Sequence, residues 1–231
     1  MTSSFLLSDA LDLGDLSVFL GRAERVDDGS VRLIATSGVL AAYVGVLYPA
    51  GILDRSPTVL ALRTFGLPRS ERFDVVVPIR AMLDRLARAT GEVADRAETD
   101  PVELALPVES GTATWAGISP PRSGWRPHEL LGGGVPAEAL ERAARDGIDE
   151  IARVIPTGTG EQIVGRVRSE VWGRDIDGAP GLPAGAAFAA YSLGFLGAGD
   201  AALVYENGPW LRLSTSRGHV LVRRAGAGLL A

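Results

Sequence analysis

The sequence predicts an α+β fold with a mostly antiparallel sheet in its N-terminal half. Apolar runs of strand length fill most of residues 31–77, helical periodicity occupies residues 136–196, and alternating apolar residues return after residue 200. Because strands and helices come in blocks and do not alternate regularly, this order favours α+β over a doubly wound parallel sheet. The last block contains an Asn207-Gly208 turn between two alternating runs, which predicts a C-terminal β-hairpin.

The first predicted helix covers residues 16–26 and ends at a turn of Asp, Asp, Gly and Ser. Its apolar positions at helical spacing are Leu16, Phe19, Leu20 and Ala23. Four strands are predicted after it, at residues 31–35, 39–48, 59–65 and 73–77. The run at 39–48 is apolar on both alternating faces, which is typical of a central strand covered on both sides.

A second helix is predicted directly after Pro78, because proline suits a first helical turn and the apolar residues then repeat at i, i+3, i+4 and i+7. These residues are Ile79, Met82, Leu83 and Leu86. Short strands are predicted at residues 102–107 and 112–119. The whole chain, residues 1–231, is predicted to be a single α+β domain, with soft boundaries expected near 91–101 or 117–135.

The C-terminal half is predicted to contain three helices followed by strands. The helices are expected at residues 136–155, 160–172 and 184–196, and the strands at 202–206, 210–216 and 219–223. Pro209, directly after the hairpin turn, favours an edge strand or a wider loop. The hairpin either returns to the first sheet or forms a small sheet of its own, and the sequence leaves both arrangements open.

The composition argues against several classes of protein. With 46% hydrophobic and 22% charged residues, the chain resembles a globular protein and not a disordered one. A formal net charge of −5 makes a nucleic-acid partner unexpected, since nucleic-acid affinity depends on basic patches. The chain has no cysteine, so it forms no disulfide and offers no thiolate to a metal. No metal or other cofactor is predicted.

A cytoplasmic location without a membrane partner is predicted. The first residues lack the basic start and the long apolar core of a secretory signal. Apolar runs such as residues 39–53 are interrupted by Gly and Pro and are shorter than the about 20 residues that a membrane-spanning helix needs. All 23 basic residues are arginine, which indicates a GC-rich genome and says nothing about function.

The loop at residues 113–134 contains the strongest candidate binding residues. They are Trp115, Arg122, Trp125, Arg126 and His128, and a later turn and strand add Arg217 and His219. Tryptophan and arginine together can stack on an aromatic ligand and bind a carboxylate or phosphate. The favoured interpretation is a rigid loop, in which Trp115 ends a strand inside the core and Trp125 packs the loop onto the surface.

No residue is predicted to be catalytic. Residues 190–194 resemble a nucleophile elbow of the form A-x-S-x-G, and Asp200 and His219 follow in the order that α/β-hydrolases use. The periodicity around Ser192, however, indicates a helix, whereas an elbow serine lies on a sharp turn between a strand and a helix. The predicted helices before and after residues 156–159 resemble a helix-turn-helix, but acidic residues lie among their arginines, so a packed helical hairpin is favoured.

Three stretches, at residues 31–49, 113–125 and 217–223, loosely resemble those of uncharacterised proteins of high-GC actinobacteria with no assigned function. The resemblance implies a cytoplasmic protein and assigns no catalytic or ligand-binding residue.

The sequence favours a non-catalytic cytoplasmic protein that acts through macromolecular interaction, with a protein partner or as a homo-oligomer. This hypothesis depends on the lack of a complete catalytic or metal-binding motif. The alternative is a binder of a small anionic or aromatic molecule, or an enzyme acting on one, that uses the loop at residues 115–128. Convergence of that loop with residues 217–219 on one concave surface would favour the alternative.

Overall fold

The computed structural model describes residues 4–27, 29–49, 51, 54, 56–93, 97–109, 113–155 and 160–223. The chain divides into two compact units. The first unit consists of Met1–Gly45 and Leu62–Ile118, and the second consists of Val46–Ala61 and Ser119–Ala231. The chain passes from one unit to the other within two strands and again after Ile118.

The first unit contains two helices and antiparallel strands. Its elements are β1 (Ser4–Leu7), α1 (Ala10–Val26), β2 (Ser30–Thr36), β3 (Val39–Leu47), β4 (Thr58–Gly66), β5 (Phe73–Pro78), α2 (Ile79–Glu92) and β6 (Val102–Ala105), of which β3 and β4 have residues in both units. The main sheet has the order β5-β2-β3-β4, and β1 pairs separately with β6. In β2, alternate residues are buried, which is the burial pattern of a strand with one face in the core.

Helix α1 begins earlier than the apolar periodicity predicts. The side chain of Asp9 accepts a hydrogen bond of 2.8 Å from the backbone N–H of Asp12, so Asp9 is a side-chain N-cap. Helix α2 follows Pro78 as predicted and buries Met82 and Leu86. The two helices contact each other and supply the helical part of the first unit's core.

The second unit contains three helices and the C-terminal strands. Its further elements are β7 (Arg126–Pro127), β8 (Val135–Pro136), α3 (Ala137–Val154), α4 (Glu161–Gly173), β9 (Asp175–Ile176), β10 (Ala179–Pro183), α5 (Ala184–Ser192), β11 (Ala201–Asn207), β12 (Trp210–Thr215) and β13 (Gly218–Arg223). The strand order in this unit is β4-β13-β12-β11-β7, and β8 also pairs with β11. Strands β9 and β10 form a separate small pair.

The two faces of the β12–β13 hairpin differ in burial. Leu211, Leu213, Val220 and Val222 share one face, and each is at most 1% exposed. On the other face, Arg212, Ser214 and His219 are half-buried, while Trp210 and Leu221 are 5% and 2% exposed. Helix α5 contacts β13, and the ring of Phe195 lies where a side chain on Gly218 would lie. The face that carries Arg212 also carries the candidate functional site.

The predicted α+β class is confirmed, and the C-terminal hairpin forms as predicted. The predicted strand at 112–119 is wrong: of its described residues, Thr114–Gly117 form a 3-10 turn. The helix predicted at 184–196 ends at Ser192, because Gly194 adopts a positive φ of 72° that ends the helical geometry. A single folding domain stays a prediction, since two compact units can belong to one domain.

Within the described ranges, no helix has both the length and the apolar content that crossing a membrane requires. In the same residues, no group of three or more histidine, aspartate or glutamate side chains is placed to hold a metal ion.

Candidate functional site

Two aromatic rings flank a single arginine on the half-buried face of the second unit. The guanidinium carbon of Arg212 lies 4.9 Å from the ring centroid of Trp125 and 4.7 Å from that of Tyr205. Both distances are within the range of cation–π attraction. We call Trp125, Tyr205 and Arg212 the arginine cage.

Strand register places two members of the cage. The turn at Gly208 and Pro209 pairs Asn207 with Trp210, and the same antiparallel register pairs Tyr205 with Arg212. Residues that pair directly across an antiparallel ladder have their side chains on the same face. The tyrosine ring therefore lies beside the arginine because of backbone pairing.

The third member, Trp125, is placed by a hydrogen-bonded loop. Its indole Nε1–H donates to the carbonyl of Pro121 over 3.1 Å. Next to it, Gly124 has a positive φ of 79°, which glycine adopts without strain. The side-chain amide of Asn207 donates to the carbonyl of Ser123 over 2.8 Å. These bonds tie the tryptophan to the hairpin that carries the other two members.

The residues after Trp125 join the sheet. Arg126 and Pro127 form β7 and pair with Glu206 and Tyr205 of β11. The backbone N–H of His128 then donates to a carbonyl of β11 over 3.0 Å. The loop is therefore ordered by backbone pairing on one side and by the Trp125 indole on the other, as the rigid-loop interpretation expects.

Arg212 has no hydrogen-bond acceptor among the residues that the structure describes. Its Nε is buried and unpaired, and the other N–H groups make no hydrogen bond or ion pair within the same residues. Burial lowers the pKa of Arg212 from its ordinary value, and the nearby Tyr205 opposes this shift. A guanidinium has five N–H donors, so this side chain has donors available for a ligand.

A histidine and a serine lie next to the cage on the same face. His219 pairs with Ser214 across the β12–β13 ladder, and its Nδ1 is 3.0 Å from the serine Oγ. Burial lowers the pKa of His219, and the positive charge of Arg212 lowers it further. The imidazole is therefore neutral at pH 7, and the cage's charge comes from Arg212 alone.

The other candidate histidine, His128, stabilises the loop. Its Nδ1 accepts hydrogen bonds from the backbone N–H groups of Leu130 and Leu131, at 3.3 and 3.2 Å. Its Nε2 is 3.9 Å from a carboxylate oxygen of Glu206. Because both hydrogen bonds need Nδ1 as an acceptor, the ring proton of the neutral imidazole lies on Nε2.

The two imidazoles are on opposite faces of the second unit's sheet. Glu206, which contacts His128, pairs with Leu211, whereas His219 pairs with Ser214. Leu211 and Ser214 are three positions apart, and side chains alternate faces along a strand. His128 and His219 therefore do not face each other.

Three further arginines that were predicted as site residues lie outside the arginine cage. Arg122 and Arg126 are exposed, and their side chains have no acceptor within the described part of the chain. Arg217 is exposed in the turn between β12 and β13 and donates to the carbonyl of Leu196 over 3.4 Å.

Trp115 belongs to the core of the first unit. Its side chain is 4% exposed, and its ring occupies the space above Gly45, where an added Cβ would lie 2.8 Å from the ring. The 3-10 turn that carries it is also held by Arg32, which donates to the carbonyl of Ala116 over 2.7 Å. The structure therefore gives Trp115 a packing role in the first unit.

The elbow-like motif does not form a nucleophile elbow. Ser192 is the last residue of helix α5, as the periodicity predicts. The hydrogen-bond partner of His219 is Ser214, and no carboxylate contacts this imidazole in the described ranges. The arrangement lacks the orienting acid of a catalytic triad.

Sequence reasoning missed Tyr205, Arg212 and Ser214. The predicted Asn207-Gly208 turn would pair Tyr205 with Trp210, whereas the observed turn at Gly208 and Pro209 pairs Tyr205 with Arg212. What the sequence did not indicate is that a loop some 80 residues earlier brings Trp125 onto the same arginine.

Two family models match this chain, and both describe domains of unknown function. Residues 1–104 match "Domain of unknown function (DUF8010)", and residues 120–227 match "Domain of unknown function (DUF8185)". No curated protein matches the chain.

Several solved structures are similar to the chain at low sequence identity. One is a DnaN sliding clamp (DNA polymerase III subunit beta) from Pseudomonas aeruginosa, with 11% identity, a TM-score of 0.48, and coverage of 98% of this chain and 65% of that chain. Another is a putative DNA polymerase III beta subunit from Eubacterium rectale, with 8% identity, a TM-score of 0.49, and coverage of 96% and 64%. The chain thus spans less than two thirds of the length of either protein.

Proposed function

We propose that the protein is a non-catalytic binding protein that recognises another protein through the face of its second unit that carries the arginine cage. The observation that supports this proposal is the cage itself: two half-buried aromatic rings hold an arginine that has no acceptor in the described part of the chain. A rigid loop and a β-hairpin hold these groups before any partner arrives, so binding does not have to order them.

The residue types of this face favour a protein as the partner. Tryptophan, tyrosine and arginine are the residues that contribute most often to the binding energy of protein interfaces. Leu203 lies on the same face, next to Tyr205 along β11, and its side chain is 41% exposed. A surface that combines fixed aromatic rings, one exposed leucine and one arginine can both bury apolar area and select a partner by charge.

The charge of the arginine cage supports a protein partner over nucleic acid. Proteins that bind nucleic acids through the phosphate backbone need clustered basic residues, whereas the cage contains one arginine between two aromatic rings. In the helix pair that resembles a helix-turn-helix, Arg174 is paired with acidic residues, since it lies 2.7 Å from Glu150 and 3.9 Å from Glu170.

The proposal is tested with a partner that has been captured, identified and purified. We expect Trp125→Ala to weaken binding to that purified partner by about tenfold or more, because truncating a central aromatic residue of an interface costs at least about 2 kcal/mol. Leu11→Ala is the matched control: Leu11 is 70% exposed on helix α1 of the first unit, and its truncation should leave the affinity within about twofold.

Three results would overturn the proposal. The first is equal binding by the wild-type and Trp125→Ala proteins, with circular dichroism showing both folded. The second is a chain that is strictly monomeric and has no partner that binds after purification. The third is labelling of Ser192 or Ser214 by a fluorophosphonate probe, which would indicate a serine enzyme. A thermal-shift screen against acidic metabolites tests the small-molecule alternative directly.

A further inference from the structure

We propose that the arginine cage is a carboxylate receptor, in which Arg212 binds a side-chain carboxylate from an acidic segment of the partner protein. This inference rests on the proposed function and names the chemistry of the partner. Three features support this assignment: the unpaired donors of Arg212, the groups around it, and an arginine of the first unit that has a carboxylate partner.

Without a ligand, Arg212 has a buried N–H donor that makes no hydrogen bond within the described residues. A buried donor that loses its hydrogen bond to water and gains no protein acceptor costs free energy, and the buried Nε of Arg212 is such a donor. The rings of Trp125 and Tyr205 attract the cation, but they supply no anionic oxygen. The terminal N–H groups of Arg212 are not among the buried unpaired atoms, so these groups, and not Nε, are the donors that a carboxylate from outside would bind.

The first unit shows how an arginine on a sheet face is completed within this protein. Arg32 donates from Nε and Nη2 to the two carboxylate oxygens of Asp74, both at 2.7 Å. This fork is the geometry that guanidinium and carboxylate groups prefer. Arg32 therefore has in the chain what Arg212 lacks within the described residues.

The strand register shows which position explains why Arg32 has a carboxylate partner and Arg212 has none within the described residues. Asp74 pairs with Ile34, which lies two residues after Arg32 on the same strand. The corresponding position beside Arg212 lies on β11, opposite Ser214 of β12. It is occupied by Leu203. Because leucine has no acceptor, this position does not supply Arg212 with the carboxylate that Asp74 supplies to Arg32.

The charge of the site favours a carboxylate over a phosphate. Arg212 is the cation of the cage, and the lowered pKa of His219 keeps the neighbouring imidazole neutral. A single positive charge between two aromatic rings matches a planar group with one negative charge. A phosphate monoester carries nearly two charges and needs more cations around it.

The test follows the arginine Nε–H signals by nuclear magnetic resonance in the full chain. Titration with an octaglutamate peptide should shift the signal of Arg212, whereas the signal of Arg32 should stay in place because Asp74 already fills its fork. Octaglutamine is the neutral control peptide. The same titration is repeated with glutarate, inorganic phosphate and an eight-nucleotide single-stranded DNA. These compounds test whether Arg212 prefers a free carboxylate, a free phosphate or a nucleic acid.

Two variants of the cage separate charge recognition from folding. Arg212→Gln should weaken octaglutamate binding by about tenfold or more, because a charge-assisted hydrogen bond is lost. Leu203→Asp should weaken it similarly, because it places a carboxylate where the first unit has Asp74. Leu203→Asn has nearly the same shape as Leu203→Asp without the charge and shares its loss of the leucine side chain, so we expect Leu203→Asp to bind octaglutamate at least about threefold more weakly than Leu203→Asn.

The proposal stands if octaglutamate shifts the Arg212 signal, if Arg212→Gln reduces its binding, and if Leu203→Asp binds it more weakly than Leu203→Asn. It is overturned if Arg212 does not respond, if octaglutamine binds equally well, or if phosphate, DNA or free glutarate binds more tightly at Arg212 than the peptide does. A partner whose binding is lost in Trp125→Ala but unchanged in Arg212→Gln would retain the proposed function and exclude the carboxylate receptor.

Discussion

Arg32 in the first unit and Arg212 in the second are both partly buried arginines on a sheet face, and they differ in what surrounds the guanidinium. Arg32 donates to both oxygens of Asp74 and to a backbone carbonyl, and the hydrogen bonds to Asp74 raise its pKa. Arg212 lies between two aromatic rings without an acceptor in the described chain, and burial lowers its pKa. The first arginine has its acceptors within the fold, and the second has none among the described residues.

The two tryptophans of the predicted binding loop show the same division. Trp115 is buried and packs against Gly45, so its role is to hold the first unit together. Trp125 is half-buried and its ring lies against a cation, so much less of the second unit's stability depends on it. A tryptophan in a loop is therefore not evidence for a site until its neighbours are known.

The largest expected effect concerns these tryptophans. We expect Trp115→Ala to lower the free energy of unfolding by about 3–5 kcal/mol, the usual cost of truncating a buried aromatic side chain. Trp125→Ala should cost only about 1 kcal/mol, because its ring is partly solvated. Urea unfolding measures both values. Equal losses in the two variants would show that Trp125 is also a core residue and would break the comparison.

The second expected effect concerns the arginines themselves. Arg32→Gln should cost about 1–2 kcal/mol of unfolding free energy, because the half-exposed carboxylate of Asp74 and the carbonyl of Ala116 lose their donors. Arg212→Gln should change it by less than about 1 kcal/mol, since the loss of two cation–π contacts is offset by removal of the buried, unpaired Nε–H. A loss of similar size for Arg212→Gln would mean that the cage is a structural element.

A smaller gain is expected when the second unit is given the acceptor that the first unit has. Leu203→Asp should raise the unfolding free energy by about 0.5–1 kcal/mol relative to Leu203→Asn, since it offers Arg212 a partly exposed ion pair. The comparison with asparagine removes the shared loss of the leucine side chain. If aspartate is no more stable than asparagine at pH 7 and low salt, Arg212 does not respond to a carboxylate at that position.

The smallest expected effect is a pH dependence from His219. Because burial and Arg212 lower its folded-state pKa below the ordinary value of 6.5, the unfolded chain takes up the proton first as the pH falls. The contribution of His219 is therefore fully present above about pH 6.5 and is lost as the pH falls from there through the lowered pKa. Arg212→Gln should raise the pKa of His219 in an imidazole titration by magnetic resonance, while Arg217→Gln serves as the control. An unchanged pKa in Arg212→Gln would show that burial alone causes the shift.

The elements of the fold were largely predictable, and the exceptions have local physical causes. Helix α2, strands β2 to β5 and the C-terminal hairpin follow from apolar periodicity and turn residues. The residues around Trp115 look like a strand, but Trp115 packs over Gly45 and the backbone forms a 3-10 turn. Two-residue strands such as β7 leave no periodicity for a sequence pattern to show.

The candidate site was only partly predictable. Trp125 was selected because tryptophan and arginine are close in the sequence, yet the arginine it contacts is Arg212, on a strand near the C-terminus. Arg122 and Arg126, its neighbours in sequence, are exposed and lie outside the cage. Neighbouring residues in a loop or strand often point in different directions, so sequence proximity does not identify contacts.

The sequence by itself determined the fold class, the presence of a C-terminal hairpin and the absence of thiol chemistry, because these depend on composition, on the period of side-chain burial and on local turn residues. Only the tertiary structure decided which arginine the fold satisfies and which it leaves without an acceptor in the described chain. That outcome depends on which strands pair and on which residue lies diagonally across the ladder, aspartate for Arg32 and leucine for Arg212. Pairing between distant segments is a property of the folded chain, and no local pattern around either arginine encodes it.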